Sequence, residues 1–149
     1  MSESVPPRLF KAITTVRKLA DAIDPELPTA KTHELRIATK RLRYLAEEFT
    51  ALSNDRFEKP LVAITLLQQV LGTVCDHDVG AQRLLGWIGA ASAASQDGTM
   101  TAAALGGLAA RHVMLARKAR KAAAKCLART NRKRLWKQFP TVGDAHVDT

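Results

Sequence analysis

The chain of 149 residues has little of what several common protein functions require. Aromatic residues make up only 5% of it, which disfavours nucleic-acid binding through base stacking. Its two cysteines, Cys75 and Cys126, form no CxxC pair and have no histidine pair to complete a zinc site. We interpret them as reduced, partly buried thiols of a cytosolic protein.

Long apolar runs and alternating patterns are also missing. No stretch of 18 apolar residues is present, and residues 1–7 lack the charged and apolar regions of a secretory signal. We therefore expect a soluble cytoplasmic protein without a membrane partner. No segment alternates apolar and polar residues for long enough to predict a strand, which favours an all-α fold.

Acidic residues are absent from one long segment. Between Asp97 and Asp144 there are eleven Lys or Arg residues and no Asp or Glu, and the whole chain has a formal net charge of +9. Such a balance favours an anionic partner, which could be a nucleic acid, an anionic membrane surface or a phosphate polymer. Charge alone does not choose among the three.

Apolar residues at helical spacing predict a bundle of four to five helices with short loops and a long basic C-terminal helix. The predicted helices span about residues 6–23, 29–52, 56–71, 76–90 and 100–138. We expect Gly72 to cap the third helix and Asp76 to begin the fourth. Residues 1–139 are predicted to form one domain, the segment 92–101 a mobile loop, and residues 140–149 a disordered tail. The apolar side of the terminal helix is assigned to Leu105, Leu108, Leu115, Ala119, Ala122 and Cys126.

Two of these helices have cationic stripes. On the second helix, cationic residues at positions i, i+3, i+7 and i+10 fall within about 80° of one another, opposite the predicted core face of Leu35 and Leu42. A solvated helix face would normally mix its charges, so both stripes indicate an anion-binding surface. The first stripe consists of His33, Arg36, Lys40 and Arg43, and the second of Lys118, Lys121, Lys125, Arg129 and Arg132.

The segment from His33 to Tyr44 resembles the H-x-L-R-x-x-x-K-R-L-R-Y signature of CHAD domains, the conserved-histidine α-helical domains. Residues 67–79 are similar to the family's L-Q-x-x-L-G-x-x-x-D-x-x-V pattern, and a basic terminal helix ending near Trp136 also fits. The resemblance implies a helical bundle whose basic faces line a groove that binds inorganic polyphosphate, often at polyphosphate granules. CHAD domains usually contain two related halves, whereas this chain has one motif and resembles the C-terminal half. It would therefore be a truncated form, or would pair with another copy or with a partner chain.

The resemblance and the stripes together define a candidate polyphosphate site. Arginine forks can hold two phosphate oxygens at once, and lysines add point charges. On this interpretation Arg36 and Arg43 grip oxygens in pairs, and His33 donates when it is protonated. The candidate residues are His33, Arg36, Lys40, Arg41, Arg43, Arg111, Lys118, Lys121 and Lys125, with Arg41 in a secondary role.

Two other functions compete with polyphosphate binding. The runner-up is a helical protein that binds nucleic acid through sequence-independent phosphate contacts. An enzyme acting on phosphoanhydrides would need metal-binding carboxylates facing the anion, and the stripes contain none, so no catalytic residue, metal or cofactor is predicted. The run Asp76-His77-Asp78 is interpreted as a helix start, and His77 and His112 as ordinary surface or satisfied histidines.

Overall fold

The computed structural model describes residues 6–52, 57–92, 98–131 and 139. Within these residues the chain forms four helices and no strand, which confirms the predicted all-α bundle. The predicted tail 140–149, the region around Trp136 and the centre of the predicted mobile loop lie outside the described residues. The helices are α1 (Pro7–Ala22), α2 (Thr29–Leu52), α3 (Glu58–Ser92) and α4 (Gly98–Asn131).

The helices pack as two hairpins of unequal length. The longest interface runs between α3 and α4, while α2 packs against α3 and α1 against α2, with a smaller contact between α1 and α4. At 1.5 Å per residue, α3 and α4 are each roughly 50 Å long, and α1 is about half that length. The core between the hairpins is built from fully buried side chains, including Leu9, Val16, Leu35, Leu42, Ile64, Leu67, Leu71 and Val74.

Helix α3 is continuous where the sequence predicted a break. In place of the predicted helices 56–71 and 76–90 there is one helix of 35 residues, Glu58–Ser92, so Gly72 is not a C-terminal cap and Asp76 is not an N-cap. A helical glycine costs only about 1 kcal/mol relative to alanine. Burial of Leu71 and Val74 on either side of Gly72 outweighs that cost, because both side chains reach the core only if the helical spacing continues.

The buried face of α4 differs from the predicted one. Leu108 and Ala122 are exposed, and Leu105 and Leu115 are half-buried; of the predicted set only Ala119 and Cys126 are buried. Small side chains allow the α4 backbone to approach α3 closely, so the larger leucines lie at the margin of the interface. The observed buried face consists of Ala109, Ala116, Ala119, Ala123, Cys126 and Leu127.

Arg120 of α4 joins three helices at one point. Its Nη2 atom lies 2.6 Å from Oδ2 of Asp78 on α3 and 3.3 Å from Oγ1 of Thr29, the first residue of α2. Its Nε donates to the carbonyl oxygen of Leu27 at 3.2 Å, and Thr29 Oγ1 also donates to Asp78. Leu27 has a φ of 52°, a conformation that is unfavourable for leucine, and its side chain is completely buried. The Arg120 guanidinium therefore holds the α1–α2 connection against the long hairpin.

Replacing Arg120 by alanine should destabilise the fold by about 3 kcal/mol, because the largely buried Asp78 carboxylate would lose its cation. Chemical denaturation measures this loss. The neighbouring exposed Lys121→Ala serves as a charge-matched control and should change stability by less than about 0.5 kcal/mol. Equal stability of the two variants would contradict the role given to Arg120.

Two histidines that looked ordinary in the sequence meet between α3 and α4. Nδ1 of His77 lies 3.2 Å from Nδ1 of His112, and the two rings are in an edge-to-face arrangement. One ring must donate and the other accept, since a neutral imidazole has one N–H. Gly80 makes room for this pair, because a Cβ atom at that position would lie 2.6 Å from Nδ1 of His112.

Gly80→Ala should therefore destabilise the protein by roughly 1–3 kcal/mol, since the His112 ring would have to move. In a His112→Ala background the same change should be neutral or stabilising, because alanine is the better helix former. Thermal or urea unfolding of the four proteins of this double-mutant cycle measures the coupling free energy between positions 80 and 112. If Gly80→Ala lowered the free energy of unfolding equally in both backgrounds, the result would be inconsistent with the observed contact.

Candidate anion-binding site

The first basic stripe lies beside the buried face of α2, not opposite it as the sequence predicted. Thr32 and Thr39 are buried next to the stripe, with their hydroxyls bonded to backbone carbonyls one turn earlier. Such internal bonds allow polar threonines to extend the packed face of α2 toward α3. Arg36 and Arg43 are consequently half-buried along the α2–α3 seam.

Arg36 lies over Gly72 of α3. Its Nε atom would be 3.7 Å from a Cβ atom added at Gly72, which is an ordinary packing distance. Among the residues that the structure describes, no carboxylate pairs with Arg36. A half-buried guanidinium without an acidic partner retains donors for an external anion.

The positive charge of Arg36 also acts on the neighbouring Cys75 thiol. Burial raises the pKa of Cys75, and the Arg36 guanidinium partly opposes that rise. Burial likewise raises the pKa of Cys126. Both cysteines are buried and free, as predicted, and their protonated thiols are poor nucleophiles.

Arg43 belongs to the same stripe but is already engaged. Its Nε donates to Oε1 of Gln68 at 2.7 Å, and its Nη1 forms an ion pair with Oε1 of Glu47 at 2.7 Å. Its guanidinium carbon lies 4.6 Å from the centre of the Tyr44 ring, and Nζ of Lys40 lies 5.7 Å from the same ring. Arg43 is therefore held in place, and part of its hydrogen-bonding capacity is satisfied within the protein.

The remaining candidates on α2 are exposed. His33 and Lys40 lie about one turn on either side of Arg36, at positions i−3 and i+4. Arg41 is also exposed, but the helical spacing turns it away from the α2–α3 seam. An extended anion lying along the seam would therefore meet His33, Arg36 and Lys40 in succession.

The candidates on α4 form a separate ridge. They lie on the side of α4 opposite the alanine-rich face that packs against α3, and all are exposed. The described link between α4 and the start of α2 is made by Arg120, which was not a candidate residue. A groove shared by the two stripes stays a prediction. The α4 residues are Arg111, Lys118, Lys121 and Lys125.

Sequence reasoning missed the contacts that organise this region. Asp78 and Arg120 are 42 positions apart, and His77 and His112 are 35 apart, so helical periodicity has no signal for either pair. Gln68 was noted as a motif position and Gly72 as a motif position and a helix cap, and neither was expected to lie against the stripe. Within the described residues, no group of three or more potential metal ligands comes together, and no helix has an apolar stretch long enough to cross a membrane.

The described residues thus form an all-helical fold with a basic seam between α2 and α3, where Arg36 has no carboxylate partner among them. A model of the CHAD domain family matches residues 1–85, which include α1, α2 and most of α3. The chain belongs to the CHAD domain family. The match contains the whole α2 stripe but not α4. Neither the curated proteins nor the solved structures gave a match to this chain.

Proposed function

We propose that this protein is a non-catalytic module that binds inorganic polyphosphate along the α2–α3 seam. The CHAD domain family is known to bind polyphosphate, and the family match contains the α2 stripe. One observation on this chain supports the proposal most directly. Arg36 is half-buried, and the described residues provide no carboxylate partner for it. Binding would keep the protein, or a protein fused to it, at cytoplasmic polyphosphate deposits.

The spacing of the stripe suits a linear polyanion. Cationic side chains one turn apart recur about every 5.4 Å along the helix axis, so neighbouring cations can contact phosphates along one extended chain. Arg36 supplies a planar fork, and Lys40 and His33 supply donors on either side of it. Arg43 is oriented by Gln68 and Glu47 toward the same seam and contributes mainly to the local field.

Arg36→Ala should weaken binding of long-chain polyphosphate roughly 10- to 100-fold, because a charge-assisted hydrogen bond contributes about 1.5–3 kcal/mol. Titration calorimetry at fixed salt measures the affinity. The slope of log affinity against log salt should also decrease by about 1, since one phosphate contact is lost.

Two further variants make this test specific. Arg17→Ala on α1 removes the same charge from an exposed position and should weaken binding less than about threefold. Arg36→Lys keeps the charge but loses the fork, so its affinity should lie between wild type and Arg36→Ala. Unchanged affinity of a folded Arg36→Ala plus Arg43→Ala double variant would move the site away from the seam.

Nucleic-acid binding is the second candidate function, and the exposed α4 ridge is the feature that favours it. Arg111, Lys118, Lys121 and Lys125 face away from α3 and lie along roughly 20 Å of helix. Such a convex basic surface can contact the phosphates of DNA or RNA without reading the bases.

Direct competition separates the two functions. At matched salt, long-chain polyphosphate should displace labelled duplex DNA or RNA, because a flexible single chain can follow the line of cations on α2 more closely than a rigid duplex can. Fluorescence anisotropy of the labelled nucleic acid measures the displacement. If nucleic acid instead displaces polyphosphate, and Lys118→Ala plus Lys121→Ala removes that binding, the α4 ridge is the functional surface.

A further inference from the structure

The face of α3 that is buried against α1 and α2 continues beyond the point where those helices end. The start of α2 lies beside Asp78, since Thr29 donates to that carboxylate at 2.9 Å. Helix α3 extends 14 residues further, to Ser92, which is about 21 Å. We call residues 79–92 of α3 and 98–114 of α4 the distal arm.

The distal arm repeats the core pattern of α3, but none of the described helices covers it as α1 and α2 cover the rest of α3. Leu85 lies 18 residues beyond Leu67, which is five full turns, so both side chains point in the same direction. Leu67 is completely buried, whereas Leu85 is 56% exposed. The covered apolar stripe of the main bundle therefore becomes an uncovered stripe on the arm.

On helix α4, too, the apolar face is buried near α1 and α2 and exposed on the arm. Leu108 precedes Cys126 by 18 residues and shares its direction, yet Leu108 is 49% exposed while Cys126 is buried. Seven of the eleven large apolar side chains that are exposed in the described part of the chain belong to the arm. They are Val79, Leu85, Trp87, Met100, Leu108, Val113 and Met114.

Two glycines, Gly86 and Gly89, lie on the uncovered face of α3 next to open space. Gly89 points in the direction of the buried Leu71, and Gly86 lies next to Leu85; both are helical without a positive φ. A Cβ atom added at either position would meet nothing within 4 Å. Glycine lowers helix stability, but it leaves room for another helix to approach the backbone closely.

The charge distribution identifies what can cover this face. Arg83 and Arg111 are the only Lys, Arg, Asp or Glu side chains among the described residues of the arm, whereas the rest of the chain is strongly basic. Two arms therefore repel each other less than the more strongly basic faces of two copies would. Apolar side chains and open glycines occur together on one face, so a two-fold axis would place the leucines of each copy over the glycines of the other.

We propose that the distal arms of two copies of this chain pair through the Leu85 face and form a four-helix bundle around a two-fold axis. The chain that follows Phe139 does not start near this face, because Phe139 packs against Phe57 at the opposite end of α3, roughly 40 Å from Leu85. The proposal does not depend on polyphosphate binding.

Sedimentation equilibrium of the full chain tests the proposal at protein concentrations up to about 100 µM. About 0.5 M salt, with polyanions removed beforehand, suppresses association through charge. The wild type should have twice the mass of the chain. Leu85→Glu should raise the dissociation constant at least tenfold, and Gly89→Met should do the same by filling the space that the partner helix occupies.

Trp87→Glu is the matched control. Trp87 is 59% exposed, close to the value for Leu85, but it lies on nearly the opposite side of α3. This variant should keep the dimeric mass, and circular dichroism should show equal helicity for all four proteins. A monomeric wild type, a dimer that tolerates both Leu85→Glu and Gly89→Met, or equal dissociation by Trp87→Glu would each overturn the proposal.

Discussion

The Arg120–Asp78 ion pair is the interaction on which the arrangement of the bundle depends. It joins α4 to α3. Through Leu27 and Thr29, Arg120 also holds the connection between α1 and α2 beside Asp78. Because the pair is largely buried, separating the charges would leave Asp78 without compensation, so the position of the short hairpin along the long one is tightly specified. That position decides which part of α3 is covered, and therefore where the basic seam lies and where the distal arm begins.

Arginines of one helical stripe have different roles because their neighbours on α3 differ. Arg43 meets Gln68 and has Glu47 one turn away on its own helix, so its guanidinium is held by two contacts. Arg36 meets Gly72, which has no side chain to bond it. Among the described residues, the seam thus combines a cation held by two contacts with a cation that has no carboxylate partner, which is the basis of the proposed anion site.

Alanine-rich packing gives α4 its two surfaces. Ala116, Ala119 and Ala123 bring the helix close to α3, and the opposite side is left to exposed cations. Small side chains bury little area per residue, so the α3–α4 interface needs its great length to be stable. That length takes both helices beyond α1 and α2, so no other described helix covers the apolar face of the arm.

The sequence by itself determined the all-α class, the ends of α1 and α2, the basic stripes and the family, because 3.6-residue periodicity and a local motif are properties of single segments. The continuity of α3 through Gly72 and the true buried face of α4 were decided by tertiary packing, since burial across helices outweighs local propensity. Tertiary packing also decided which residues Arg120 and His112 contact, because residues far apart in sequence meet only when the helices are assembled. For the same reason, only the assembled bundle distinguishes Arg43, which is held by Gln68 and Glu47, from Arg36, which has no carboxylate partner among the described residues.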